Sequence, residues 1–148
     1  MRSFAVTREY DVPPEVAFDV FTNSARYPDY TPIRRCVLEH AGREAPDGVG
    51  AVRALFAGPR PTRERVLEYE HPRRFGFEIV SGAPVRSYHG RLRFDPTGSG
   101  CRVTYEVELD PIVTGTGPAV AAGFRTAIEL LMRIAGPEAR RRQRADSS

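Results

Sequence analysis

The chain has 148 residues, 41% hydrophobic and 28% charged, with a formal net charge of +3. That length buries a core without staples, and the composition excludes global disorder and low-complexity or collagenous architectures. The excess charge sits in residues 139–148 (ARRRQRADSS), leaving 18 Arg against 18 acids elsewhere, so the body lacks the basic face of a nucleic-acid binder.

Residues 3–10 (SFAVTREY) alternate Phe4 and Val6 against Ala5, Thr7 and Glu9, the period of a strand. Asp11-Val12-Pro13-Pro14 stops it, and a short helix is predicted over 15–22 with Val16, Phe18, Val20 and Phe21 as its apolar side. Residues 23–32 predict a second short helix, ended by Pro28, and a rigid turn through Tyr30 and Pro32. Six strands follow over 33–40, 49–56, 62–70, 75–80, 86–94 and 102–109, separated by short Gly, Pro and Asp loops. Such short connections leave only antiparallel neighbours. The last element, 118–135 (PAVAAGFRTAIELLMRIA), has Pro118 at a first helical position and Gly136-Pro137 after it. Its polar strip is Arg125, Glu129, Ala122, Arg133 and Thr126; the rest of the wheel is apolar, predicting cover over two-thirds of its circumference.

Matching apolar faces across the 94–101 hairpin sets Tyr88, Gly90, Leu92 and Phe94 with Val103, Tyr105 and Val107. His89, Arg91 and Arg93 then oppose Thr104, Glu106 and Glu108 as charge-complementary pairs. A glycine near Tyr105 reads as a pocket floor. Phe77 falls on the same face, as does Arg86, which reads either as a rim residue or as a contact at a pocket mouth. Strand 62–70 is ambiguous: Leu67 and Tyr69 face inward with Arg63 and Arg65, or Val66 does so with Glu64, Glu68 and Glu70. In the second case Glu64 is the candidate general base, its pKa lifted by burial. His40, His71 and His89 are scattered, Cys36 and Cys101 lack ligand spacing, and no phosphate-cradling glycine motif occurs. No metal and no cofactor is therefore expected, nor a Ser/His or Cys/His hydrolase.

Several stretches together resemble the START/birch-pollen-allergen superfamily (SRPBCC), within it the polyketide cyclase/dehydrase-like branch. They are Val12-Pro13-Pro14-Glu15-Val16-Ala17-Phe18, Arg26-Tyr27-Pro28-Asp29-Tyr30-Thr31-Pro32, Gly48-Val49-Gly50, Arg63-Glu64-Arg65-Val66, Pro72-Arg73-Arg74-Phe75, Ser81-Gly82-Ala83-Pro84-Val85-Arg86 and Gly100-Cys101-Arg102-Val103-Thr104-Tyr105. Tyr30 and Tyr105 stand where relatives often carry Trp, which this chain lacks. The resemblance implies an α+β helix-grip fold: a seven-stranded curved antiparallel sheet around a long C-terminal helix, with two short helices after the first strand. It also implies a cavity between helix and sheet, lined here by Phe77, Arg86, Tyr88, Tyr105, Phe124, Ile128 and Leu131, where a small hydrophobic molecule (a lipid or polyketide) would bind.

Three functions stay open: a binding or carrier module, an aromatase/cyclase acting on a poly-β-keto substrate with Glu64 moving protons, and an accessory protein docking through the 27–32 turn and the basic tail. The expected organisation is one domain over 1–138 and a flexible tail over 139–148. No signal peptide or transmembrane span is read, so a cytoplasmic location without stable membrane insertion is expected. No nucleic-acid partner is expected, and homodimerisation is left open.

Overall fold

The strand period at the N-terminus forms β1 (Arg2–Tyr10), followed by α1 (Pro14–Thr22) and a 3-10 turn over Ser24–Asp29. Six strands come next: β2 (Arg35–His40), β3 (Val52–Phe56), β4 (Thr62–Glu70), β5 (Arg74–Ser81), β6 (Val85–Pro96) and β7 (Cys101–Pro111); α2 (Gly117–Asp146) ends the chain. The structure, a computed structural model, describes residues 2–146. The strands form a seven-stranded antiparallel sheet in the order β1-β7-β6-β5-β4-β3-β2. Short loops make each of β2 to β6 pair with the next, while α1 and the 3-10 turn carry the chain from one edge strand, β1, to the other, β2. This is the helix-grip architecture.

The β6–β7 register is the expected one. Phe94 pairs with Val103, Leu92 with Tyr105 and Gly90 with Val107, while His89 faces Glu108 and Arg91 faces Glu106 on the outer side. The inner face joins α1 in an aromatic core: the Phe18 ring lies 5.1 Å from Phe94 and 5.3 Å from Tyr69. On the α2 side, the Tyr10 hydroxyl donates to the Met132 carbonyl at 2.6 Å.

Strand β4 resolves its ambiguity by using both parities. Glu64 and Val66 are buried and Leu67 is exposed, but a register shift between Val66 and Glu68 reverses the alternation, so Tyr69 also packs inward. An extra residue in one strand flips every later side chain. Two strand starts also move. Gly50 takes φ +90°, outside the strand region, and β3 begins at Val52, although Gly50 and Ala51 still exchange hydrogen bonds with Val66. Strand β2 begins at Arg35, with Ile33 turned toward the space under α2.

The long helix departs from expectation twice. It does not stop at Gly136-Pro137 but continues to Asp146, so over 139–146 the expected flexible tail is helical; residues 147–148 lie outside the described residues. An interior proline removes one backbone hydrogen bond and crowds the carbonyl four residues before it, and here packing outweighs that cost. Glu138 and Arg142 are buried and ion-paired at 2.8 Å, Arg142 reaches Asp19 of α1 at 2.8 Å, and its guanidinium lies over the Tyr30 ring. The cover is also narrower than two-thirds of the wheel. Ile128, Met132, Ala135 and Ala139 are buried, while Ala127 is exposed and Leu130 is 47% exposed. Phe124, Leu131 and Ile134 border open space, as do Ala127 and Leu130.

Candidate functional site

That open space lies between α2 and the inner face of the sheet. A cavity of about 370 Å³ is bounded by Phe124, Ala127, Ile128, Leu130, Leu131 and Ile134 of α2, by Leu55, Glu64 and Ile79 of the sheet, and by Tyr88 and Tyr105. A smaller chamber of about 100 Å³ lies deeper, against Tyr27, Arg53, Phe75, Phe77 and Leu92. The two share the walls Thr31, Ile33, Leu55, Glu64, Tyr105 and Leu131. The larger space falls toward the lower end of the ~300–1,000 Å³ typical of small-molecule sites, and its mostly apolar lining suits the same use.

A charged cluster stands at the inner wall. Arg53 of β3 is 2% exposed, and its Nη2 donates to Glu64 Oε1 at 2.6 Å. Its Nη1 donates to the Thr22 carbonyl at 2.9 Å and to Asp47 at 3.3 Å, and Asp47 in turn accepts from the Ser24 hydroxyl. The guanidinium lies 5.2 Å from the Phe75 ring centre and 5.4 Å from that of Tyr27. Burial disfavours the guanidinium charge, yet the facing phenol and carboxylates more than reverse this, and Arg53 is held protonated. A charged hydrogen bond between such groups is stronger than a neutral one, and it fixes the Glu64 carboxylate in place. Only Oε1 of Glu64 accepts a hydrogen bond among the described residues.

Five of the six tyrosines divide into two sets. Tyr10, Tyr27 and Tyr30 each spend their hydroxyl on a backbone carbonyl, of Met132, Phe21 and Val20 respectively. Tyr88 and Tyr105 do not; their hydroxyls face one another beside the cavity that both line. Burial pushes both phenols upward, so they remain neutral donors at physiological pH. A carbonyl or hydroxyl entering the cavity would therefore meet two phenols, a carboxylate oxygen and, behind it, a fixed cation.

Of the residues predicted to line a cavity, Tyr88, Tyr105, Phe124, Ile128 and Leu131 meet around the larger space, and Phe77 joins at the deeper chamber. Glu64 belongs to both, as the partner of a buried arginine rather than a solitary carboxyl. Arg86 does not join them. A register shift between Val85 and Ser87 turns it out of the inward row, and it is exposed, donating to the Ile112 carbonyl at 3.3 Å. Gly90 is not a pocket floor either: a Cβ there would lie 2.6 Å from the Phe77 ring, so the missing side chain makes room for that ring. The 27–32 turn presents no free aromatic pair for docking, because the Tyr27 and Tyr30 hydroxyls tie it to α1.

Reasoning from sequence does not single out Arg53. The signal for it is a lone arginine between Val52 and Ala54-Leu55, at the parity of Leu55, in a strand facing the Glu64 row. Metal and thiol chemistry gain no geometry here. Among the described residues no three His, Cys, Asp or Glu side chains gather as ligands. Burial, with the Glu15 charge adding to it, pushes the Cys101 thiol up to about 11, away from a reactive thiolate.

The fold is shared with solved structures of low sequence identity. Ara h 8.0201 superposes with a TM-score of 0.79 at 11% identity, covering 93% of this chain and 97% of that one. The di-domain ARO/CYC StfQ from the steffimycin biosynthetic pathway gives 0.77 at 13% identity, with 95% of this chain matching 51% of that one. Norcoclaurine synthase from Thalictrum flavum, solved with dopamine and hydroxybenzaldehyde, gives 0.66 at 15% identity over 88% of this chain and 83% of that one. No curated protein matches the chain in sequence. Residues 1–135 match the family model described as polyketide cyclase / dehydrase and lipid transport; the chain belongs to that family, within the START/birch-pollen-allergen superfamily.

Proposed function

We propose that the protein binds a small, mainly apolar molecule bearing a carbonyl or hydroxyl, seated under α2 with its polar end toward Tyr88, Tyr105 and Glu64. The observation carrying this reading is the pairing of an open apolar cavity of about 370 Å³ with two phenols not committed to the backbone. Apolar walls supply affinity in such a site and a few convergent polar groups supply orientation. Family membership is in keeping with this use, and so is the ligand-bound state of the norcoclaurine synthase structure.

Thermal unfolding with anilinonaphthalene sulfonate or a naphthol as probe tests it. A ligand at a hundred times its Kd adds about 2.7 kcal/mol of stability by linkage, roughly 5–10 °C for a chain of this size. Leu131→Trp, which fills the space where the two chambers join, should abolish the shift, and Tyr105→Phe should reduce it for the naphthol. No shift with either probe, or an undiminished shift in Leu131→Trp, would sink the reading.

The Glu64 carboxylate, with one oxygen held by Arg53 and the other without a protein partner among the described residues, favours a second use of the same cavity. A poly-β-keto chain bound there would present an acidic C–H to Glu64 while the phenols polarise a carbonyl for aldol closure and dehydration. In that case Glu64→Gln abolishes cyclised product from a poly-β-keto thioester while probe binding persists. Unchanged turnover in that variant, or none in the wild type, removes the enzymatic reading and leaves the binding one standing.

A further inference from the structure

Five segments meet at one end of the sheet: Arg2, residues 31–35, 57–61, 82–86 and 110–118. Their mutual contacts join them into a rim. The Arg34 amide donates to the Phe56 carbonyl at 2.8 Å, the Gly82 backbone lies against Pro61, the Ile112 amide donates to the Pro84 carbonyl at 3.3 Å, and the Arg2 side chain lies against Gly117. The cavity reaches the same rim through Thr31, Pro32, Ile33 and Ala57.

Charge is unevenly distributed around the molecule. The rim holds Arg2, Arg34, Arg35, Arg60 and Arg86, all exposed, against Asp110 alone; elsewhere 17 arginines meet 18 carboxylates. Three of the four arginines of the C-terminal segment are matched by carboxylates. Arg140 pairs with Asp11, Arg141 with Glu138, and Arg142 with Asp19 and Glu138. None of the five rim arginines forms an ion pair among the described residues. On the same rim, Val113 (61% exposed) and Ile112 (50%) are the two most exposed large apolar side chains of the described residues.

We propose that this rim docks on an anionic lipid surface. Ile112 and Val113 enter the headgroup region, the five arginines engage lipid phosphates, and the cavity mouth is set against the bilayer. Two aliphatic side chains on a protruding turn need a medium that deforms around them, and the surrounding cations match an anionic leaflet. Weak burial plus electrostatic attraction gives reversible, peripheral attachment, and no described helix is long and apolar enough to cross a membrane. The docking stands on exposure and charge alone; it rests on the cavity reading only for the benefit of placing the mouth there.

Sedimentation of the full chain with vesicles tests it, using phosphatidylcholine alone or with about one-third phosphatidylserine. The expected result is binding to the phosphatidylserine vesicles at low salt, release as ionic strength rises, and little binding to phosphatidylcholine alone. Arg60→Ala should lower the partition coefficient about fivefold, one cation's worth of surface attraction, and Val113→Ser should lower it further, with melting temperature and the dye-induced shift unchanged in both. Absence of binding to phosphatidylserine vesicles at low salt, or binding indifferent to both substitutions, overturns the proposal. So does retention on an immobilised acidic protein, lost in the same variants, in place of retention on vesicles. Vesicle binding without any dye-induced shift would instead count against the cavity reading alone.

Discussion

Replacing Arg53 with methionine removes the cation shared by Glu64 and Asp47 while keeping most of the side-chain volume. The change deletes the 2.6 Å bond to Glu64, the 3.3 Å bond to Asp47 and the 2.9 Å bond to the Thr22 carbonyl. Removing one member of a buried ion pair costs about 3–5 kcal/mol, because the remaining charge stays desolvated. Two features lower that figure here: the Glu64 side chain keeps 12% exposure and borders a cavity that water can enter, and Asp47 keeps its bond from Ser24. The expected loss is therefore about 2–3 kcal/mol, just below that range. The double variant Arg53→Met/Glu64→Met removes both of these charges, while Asp47, 14% exposed, keeps its bond from Ser24; replacing both partners of a buried pair with apolar groups is often neutral. It should return to within about 1 kcal/mol of the wild type, giving a coupling of about 2 kcal/mol or more. Urea unfolding followed by circular dichroism reads both quantities, provided the m-value is unchanged across the four proteins. A single variant as stable as the wild type, or a double variant as unstable as the two singles added, would refute the claim that these groups form one buried electrostatic unit.

Three further outcomes can be checked by similar means. Gly90→Ala should cost about 1–3 kcal/mol by overpacking the Phe77 ring, with Phe77→Leu in the same chain recovering part of it; urea unfolding of both decides. Burial raises the Glu138 carboxyl, but hydrogen bonds and charge from Arg142 and Arg141 outweigh that and hold it below its ordinary value of 4.5. A depressed carboxylate contributes stability above 4.5 that is lost as pH falls through its folded value, so Glu138→Gln should be less stable at neutral pH and show a shallower acid limb. Equal acid limbs would place the cluster outside the stability balance. Met132→Ala, in the covered face, should cost about 2–5 kcal/mol, whereas Leu130→Ser, at the cavity wall, should leave the urea midpoint nearly unchanged and weaken probe binding.

The order of elements was legible because each rests on local rules: two-residue alternation in Phe4–Val6 and Val103–Val107, the proline stop at 13–14, and loops too short for anything but antiparallel neighbours. The β6–β7 register was legible for the same reason, since apolar and charged faces agreed across one hairpin. Local rules failed where distant groups compensate a local preference. Pro137 reads as a terminator, yet Glu138, Arg142 and Asp19 carry the helix past it. Parity in β4 and at Arg86 could not be propagated, because a single extra residue reverses it and sequence does not mark where that residue sits.

The sequence by itself determined the order of strands and helices and the apolar excess of α2, since each follows from spacing along one segment; the closure of the sheet on the helix and the cavity between them entered only as what the family resemblance implies. Only the tertiary structure decided that Gly90 yields to Phe77 rather than to a guest, that Arg53 stands behind Glu64, and that the positive excess lies on the cavity rim instead of the C-terminal segment. Those are pairings between residues far apart in the chain. They depend on how a twisted sheet closes on a helix, a geometry to which no local pattern of residues corresponds.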